Sequence, residues 1–423
     1  MNIYNITRPI LVVYCFLFVP LYIWASFFGY APYIFMSALL LAALMVHGIG
    51  SHILSGRGSS SSIQVPKNVT FFAATLALSI ITISVLLHFA GGDRVDYVGR
   101  SMFTTNFGLV LNYAAWLGIG ISIGRGTALN HQQISRALGV TWIFLSLFFV
   151  SQIDSATGGI SFTSDTSEKK SMYLLFADFY AVSALLLMSV ARSTRTAVGV
   201  AATSAIVLFF LESRASLFFF IATVALYYLL SRSAGNKLLL ALMTISAIVI
   251  LPTIDFSQYE SASRMTIFFE RGLQADASFI GRMKLLTDGV GSILQNPLLG
   301  SYNSLVDHSN NVTAYIHNIL SYWQLYGLMV FGLMFFLLVI MPTTFIRQHL
   351  FGKRVPTISP EIRMVCIVSL FVILQVVTAR AYVWHFSWLL IGLMCVVRPQ
   401  VLPSASRKPP CTTASPKMAK FGS

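Results

Sequence analysis

"YIHNILSYWQLYGLMVFGLMFFLL", residues 315–338, decides the fold. From Ile319 onward it holds no charged residue, and about 20 apolar residues are what a helix needs to cross the hydrocarbon of a bilayer. His317 and Asn318 stand where a polar loop becomes this apolar run. Comparable runs recur along the chain. Composition agrees: 56% of residues are hydrophobic and 10% charged, with a mean hydropathy of +0.76. A soluble domain carries about 25% charged residues, so this chain cannot cover itself with a solvated surface. The class read from these features is an all-α polytopic membrane protein.

Twelve transmembrane spans are expected, at 9–29, 31–48, 69–90, 103–123, 137–152, 172–191, 196–213, 215–231, 238–254, 318–342, 363–379 and 382–397. "MNIYNITRPILVVYCFLFVPLYIW" has one positive charge, an apolar run too long for a signal peptide and no small-residue cleavage site, so it reads as a retained first span. Residues 1–397 form the transmembrane domain. Residues 398–423, rich in Pro, Ser and Lys, read as a disordered basic cytoplasmic tail. With a cytoplasmic N-terminus, 18 of the 28 Lys and Arg fall on the cytoplasmic side, where the only acid is Glu361. That is the positive-inside pattern. The net charge of +14 then reflects topology and not a nucleic-acid partner.

One connection is long: residues 255–317, between spans nine and ten, on the outer side. Phe279, Ile280, Met283, Leu285, Leu286, Val290 and Ile293 recur there at helical spacing, and Pro297 and Gly300 end the pattern. One or two amphipathic helices on the membrane surface are expected, and loops of this length in compact proteins are commonly functional.

Several chemistries have no motif. The four cysteines form no CxxC and the eight histidines are scattered singly, so no metal site is expected. A Gly-rich phosphate loop, HExxH and GxSxG are absent, which argues against ATP as substrate and against a covalent hydrolase.

Polar groups in or beside spans carry more information, because burying them costs several kcal/mol unless they are partnered. In "LFFLESRASLFFF" (208–220) two spans abut, with Glu212, Ser213 and Arg214 between them. Arg214 either snorkels beside Glu212 or presents a guanidinium fork to a phosphate. Arg264, Arg271, Arg282 and Lys284 accumulate in the outer loop, either as solvated charges or as a basic surface for an anionic lipid-linked ligand. His317 is either an interfacial residue at a helix start, with Asn318 as cap, or an acid–base group near neutral pH. Asp307 and His308 lie upstream, able to orient His317, bind sugar hydroxyls or simply sit in a polar loop. "TARAYVWHFSW" (378–388) places Arg380, Trp384, His385 and Trp388 at the outer end of the last two spans, as an aromatic belt or a sugar-stacking platform. Asp178 and His88 are further membrane polar groups whose partners the sequence does not name.

The ordered set "SRAS" (213–216), "GRMKLLTDGVGSILQNPLLGSY" (281–302) and "YIHNILSYWQLYGLMVFGLMFFLL" (315–338) resembles the O-antigen polymerase/ligase superfamily of bacterial inner-membrane glycosyltransferases. The resemblance covers roughly residues 208–342. It implies a GT-C-like, metal-independent enzyme, without cofactor, that moves a glycan from undecaprenyl pyrophosphate to a sugar hydroxyl with inversion at the periplasmic face. It further implies that Arg214 and Arg282 contact the donor pyrophosphate and that His317 activates or positions the acceptor. Arg271, Asn318, Asp307, His308, Tyr315 and Arg380 are the accompanying substrate-binding candidates. The implied partners are lipid-linked glycan donor and acceptor, membrane lipids and a chain-length regulator protein. Ligases of this family often carry a second histidine just before the HN pair; here those positions are Tyr315 and Ile316, which favours a polymerase. The alternatives are an O-antigen ligase acting on the lipid A–core and a transporter or flippase for lipid-linked sugars. A transporter would place ionisable groups mid-membrane near broken helices, often in repeated halves, and no repeat is visible.

Overall fold

The computed structural model describes residues 69–91, 96–97, 100–129, 131–153, 172–230, 277–302, 315–351 and 358–396. They form helices α1 (Val69–Ala90), α2 (Met102–Leu129), α3 (His131–Ser151), α4 (Met172–Val190), α5 (Thr194–Phe210), α6 (Arg214–Leu230) and α7 (Ala277–Gln295). Then follow α8 (Leu320–Phe335), one π-helical turn (Phe336–Ile340), α9 (Met341–Leu350), α10 (Pro360–Thr378) and α11 (Phe386–Val396). A two-residue antiparallel ladder, Asp96–Tyr97 with Arg100–Ser101, is an addition that hydropathy could not announce.

Among the described residues, five helical stretches are long and apolar enough to cross a membrane: α1, the Asn106–Arg125 part of α2, α3, Leu320–Leu350 and α10. Four more are apolar but shorter: Leu174–Val190, α5, α6 and α11. These are the elements of a multi-pass membrane protein. Exposed apolar side chains on α1, α3, α5 and α8, among them Phe72, Leu87, Leu147, Ile206 and Met329, fit a surface that faces lipid. The expected spans from 69–90 to 215–231 and from 318–342 to 382–397 all fall on helices. The last is shorter than expected, starting at Phe386 because 379–385 form an irregular turn, and the one from 318 runs on to Leu350. The expected spans at 9–29, 31–48 and 238–254 and the tail 398–423 lie outside the described residues.

Helix α4 is the centre of the bundle. Every residue from Phe176 to Ala191 is buried, and α3, α5, α6 and α10 pack around it. On another side α2 and α11 meet backbone to backbone. A Cβ on Gly392 would stand 2.3 Å from the Leu117 carbonyl, and one on Gly120 would stand 2.2 Å from that of Leu389. Small residues at such a crossing give the close approach that holds helices together without a hydrophobic drive. Gly392→Ala is therefore expected to cost about 1–3 kcal/mol by overpacking, seen as a lower melting temperature of the detergent-solubilised protein. Gly199→Ala on α5, where nothing lies within 4 Å, should leave it unchanged or raise it. Equal melting temperatures for both variants would show that the glycine crossing does not limit stability.

Helix α8 is broken. Gly327 has φ 80° and ψ −179°, in a region open to glycine and closed to most L-residues. The turn after α7 enters the break: a Cβ on Gly327 would lie 2.1 Å from the Leu298 carbonyl, and Gly300 (φ 78°) abuts the Gly327 nitrogen in return. The backbone groups freed by the break are re-used. Leu328 N–H donates to the Pro297 and Leu298 carbonyls (3.2 and 3.3 Å), and Ser301 N–H donates to the Gln324 carbonyl at 2.6 Å. Irregular backbone at membrane depth persists only where protein re-satisfies it in this way. The π-helical turn precedes Pro342, which has no N–H to continue the α ladder.

Candidate functional site

Asp178 lies in the second turn of the central helix α4, 1% exposed. Its carboxylate takes donors from three other segments. On Oδ1 converge Ser216 Oγ (2.6 Å), Arg380 Nη2 (3.0 Å) and Gln375 Nε2 (3.3 Å). On Oδ2 converge Trp384 Nε1 (2.8 Å) and Arg380 Nε, which is in ion-pair contact at 2.7 Å but poorly angled for a hydrogen bond. The partner that the sequence could not name for Asp178 is thus Arg380, with Ser216, Gln375 and Trp384 completing its shell. A buried carboxylate in an apolar helix is tolerable only when neutralised and hydrogen-bonded in this manner.

This knot orders the Arg214 turn. Ser216 Oγ also meets Ser213 Oγ at 2.7 Å and receives Arg380 Nη2 at 3.2 Å. Glu212 takes the left-handed conformation (φ 55°), which lets the chain reverse in three residues between α5 and α6. Arg214 then opens α6, half-buried.

The knot also reaches the His317 segment. Beyond Arg380, the Tyr382 N–H donates to Ser321 Oγ at 2.8 Å, and Tyr113 Oη donates to the Tyr382 carbonyl at 2.7 Å. The Tyr382 ring packs edge-on against Tyr315, centroids 5.3 Å apart, and Tyr315 lies 5.1 Å from the His317 ring. Ile319 N–H donates to the Val376 carbonyl at 2.7 Å. The N-cap of α8 is Ile319, without a side-chain cap; Asn318, one residue earlier, makes a local turn in which its Oδ1 accepts the Leu320 N–H at 2.9 Å.

Helix α7 closes the arrangement. Its Gly289 faces Ile316, where a Cβ would come within 2.3 Å of the isoleucine side chain, while the Ile316 N–H is held by Gln324 Oε1 at 3.0 Å. Arg282 is seven residues before Gly289, two helical turns, and so shares its inward face. Burial first, then the charges of Arg282 and Arg380, push His317 down to about 4, well below an ordinary imidazole. Burial pushes Tyr315 up to about 12, with Arg380 pulling the other way. At neutral pH the site therefore presents a neutral imidazole among cationic groups.

Of the residues singled out from sequence, Arg214, Arg282, Tyr315, His317, Asn318 and Arg380 belong to segments that interlock. Arg271, Asp307 and His308 lie outside the described residues. Arg380 is committed to Asp178 and acts on His317 through its charge. Asp178, Ser216, Gln324, Gln375 and Gly327 had no assigned role; an aspartate inside an apolar run is itself a signal, but it does not say which distant residue answers it. Against transport stand the placing of the ionisable cluster at one face and the lack of a visible repeat; a broken helix is the feature a transporter would share. Such a break is present at Gly327, and it is filled by the turn that follows α7.

Comparison with family models, with curated proteins and with solved structures finds no match for this chain.

Proposed function

We propose that the chain is a membrane-embedded glycosyltransferase that polymerises undecaprenyl-pyrophosphate-linked repeat units of an O-antigen or related polysaccharide. In this reading it spans a bacterial inner membrane about twelve times, with both termini cytoplasmic, the 255–317 loop in the periplasm and the reaction at that face. The observation that carries the proposal is the convergence of its three signature segments. The SRAS turn, the Arg282 helix with its NPLLG turn, and the HN segment with its broken helix are far apart in the chain. Yet hydrogen bonds and close packing join them through Asp178, Tyr382 and Ile316.

The chemistry follows from those residues. An acceptor hydroxyl attacks the anomeric carbon; the bond to the pyrophosphate oxygen breaks, and the electron pair leaves with the pyrophosphate. Arg214 and Arg282 stabilise that developing negative charge as preorganised cations. His317 takes the hydroxyl proton, which requires the neutral imidazole that burial and the neighbouring arginines enforce. Anionic pyrophosphate beside those arginines offsets their repulsion and raises the basicity of His317 once the donor is bound. A tyrosine ring, not a second histidine, flanks His317 at 5.1 Å, which favours the polymerase over the ligase.

The test is a lipopolysaccharide gel from a strain lacking the gene. Core capped by single repeats is the expected result. Bare core, with polymer retained on the lipid carrier, would assign the ligase instead, and normally capped lipopolysaccharide would overturn both.

A further inference from the structure

The turn that fills the α8 break is inverted relative to a turn made for water. Several of its polar groups are bonded within the protein. The Pro297 carbonyl accepts from Leu328 N–H and from Trp323 Nε1 at 2.8 Å, and the Asn296 carbonyl accepts from Gly300 N–H at 3.0 Å. Asn296 Nδ2 donates to Ser301 Oγ at 2.9 Å, and Ser301 N–H to the Gln324 carbonyl. Pro297 has no N–H to satisfy. The apolar side chains face the other way: Leu298 is 70% exposed and Leu299 85%.

Helix α7 continues this surface. Ile280, Met283, Val290 and Leu294 are all exposed and recur at spacings of three, seven and four, which places them on one stripe. At 3.6 residues per turn the stripe is rotated by roughly 120° from the inward face that holds Arg282 and Gly289. Leu298 and Leu299 also adjoin exposed Leu328 and Met329 of α8, since Leu328 N–H bonds to the Pro297 and Leu298 carbonyls. α8 belongs to the Leu320–Leu350 membrane-length helix. Leu328 directly follows the break at Gly327, and the run from there to Leu350 is itself roughly 34 Å long at 1.5 Å per residue, so the turn adjoins the first residues of a membrane-length run.

We propose that the outer stripe of α7 and the Pro297–Leu299 turn are immersed among bilayer lipid chains, continuous with the lipid-facing side of α8. Two features select lipid as the occupant: the outward leucines, and their continuity with the exposed apolar side chains of α8. The inference needs α8 to span a membrane but does not depend on the transferase reading.

Nitroxide labels test it in the full chain, reconstituted in phosphatidylcholine vesicles. Cys15→Ser and Cys411→Ser form the background; Cys366 and Cys395 are buried, and the background's own signal is subtracted. Single cysteines then replace Leu294, Leu299, Met329 on α8 as lipid reference, and exposed Lys284 as aqueous reference. Labels at Leu294 and Leu299 are expected to collide several-fold more with oxygen than with a water-soluble nickel chelate, as at Met329, with the ratio reversed at Lys284. Collision chiefly with the nickel chelate at Leu299 would place the turn in water and overturn the proposal. Protection from both reagents would mean that protein covers the stripe, a second copy included, and would overturn it equally.

Discussion

A His317→Ala variant is expected to insert normally and to lose polymerisation, with turnover lower by about 10²–10⁴-fold, the usual worth of a positioned general base. Vesicles holding purified protein and lipid-linked repeat units would report this as loss of the polymer ladder. Arg214→Ala should erase the ladder as well, by withdrawing charge from the leaving pyrophosphate. The wild-type pH profile adds a sharper requirement. With His317 held at about 4, the free enzyme keeps its imidazole neutral well below pH 6.5, so the acid limb of kcat/KM should fall toward pH 4. Bound pyrophosphate offsets the arginines, so the acid limb of kcat should lie at higher pH than that of kcat/KM. A near-normal ladder from His317→Ala would remove His317 as the base, and a kcat/KM limb at about pH 6.5 or above would show that burial and the arginines do not depress it. The same depressed pKa has a stability consequence: the unfolded chain binds this proton more readily than the folded one. The histidine therefore destabilises the fold as pH falls from about 6.5 toward 4, and has no such effect above that window.

Asp178→Ala is expected to be the most damaging single change to the fold. It strands the buried Arg380 guanidinium and the Ser216, Gln375 and Trp384 donors, and removing one partner of a buried pair costs about 3–5 kcal/mol. The measurement is thermal unfolding in detergent, compared with Asp178→Asn and the double variant Asp178→Asn/Arg380→Gln. The asparagine can still accept from Ser216 but leaves the cation uncompensated, so it should remain clearly destabilised. Removing both charges should recover part of the loss. A double variant no more stable than Asp178→Asn would show that the charge pair is not what the fold relies on. Because Ser216 ties Asp178 to Ser213, the surviving fraction of Asp178→Asn should also bind the donor more weakly through a less ordered Arg214.

Much of the fold is legible because hydropathy is a local sum. The run 69–90 coincides with α1, and Pro297 and Gly300 end α7 where backbone chemistry says they must. That Asn318 would bond locally at the helix start was equally readable, since its side chain reaches an N–H only two residues away, although the cap position itself falls on Ile319. The break in α8 was not. Gly327 looks like any small residue in an apolar run, and only the turn from 297–301 pressing on it makes a positive φ necessary.

The candidate site divides along the same line. His317, Arg214 and Arg282 could be picked out from the sequence because a charged or titratable group at the edge of an apolar run is costly wherever it ends up. Their common setting could not. Asp178 and Arg380 are 202 residues apart, and no local pattern encodes which of the chain's arginines answers a buried carboxylate. The sequence by itself determined that the chain is a helical membrane protein and where its polar exceptions stand, since transfer from water to hydrocarbon depends on each segment alone. Only the tertiary structure decided which exceptions meet, because pairing, burial and the field that depresses His317 depend on how the helices pack.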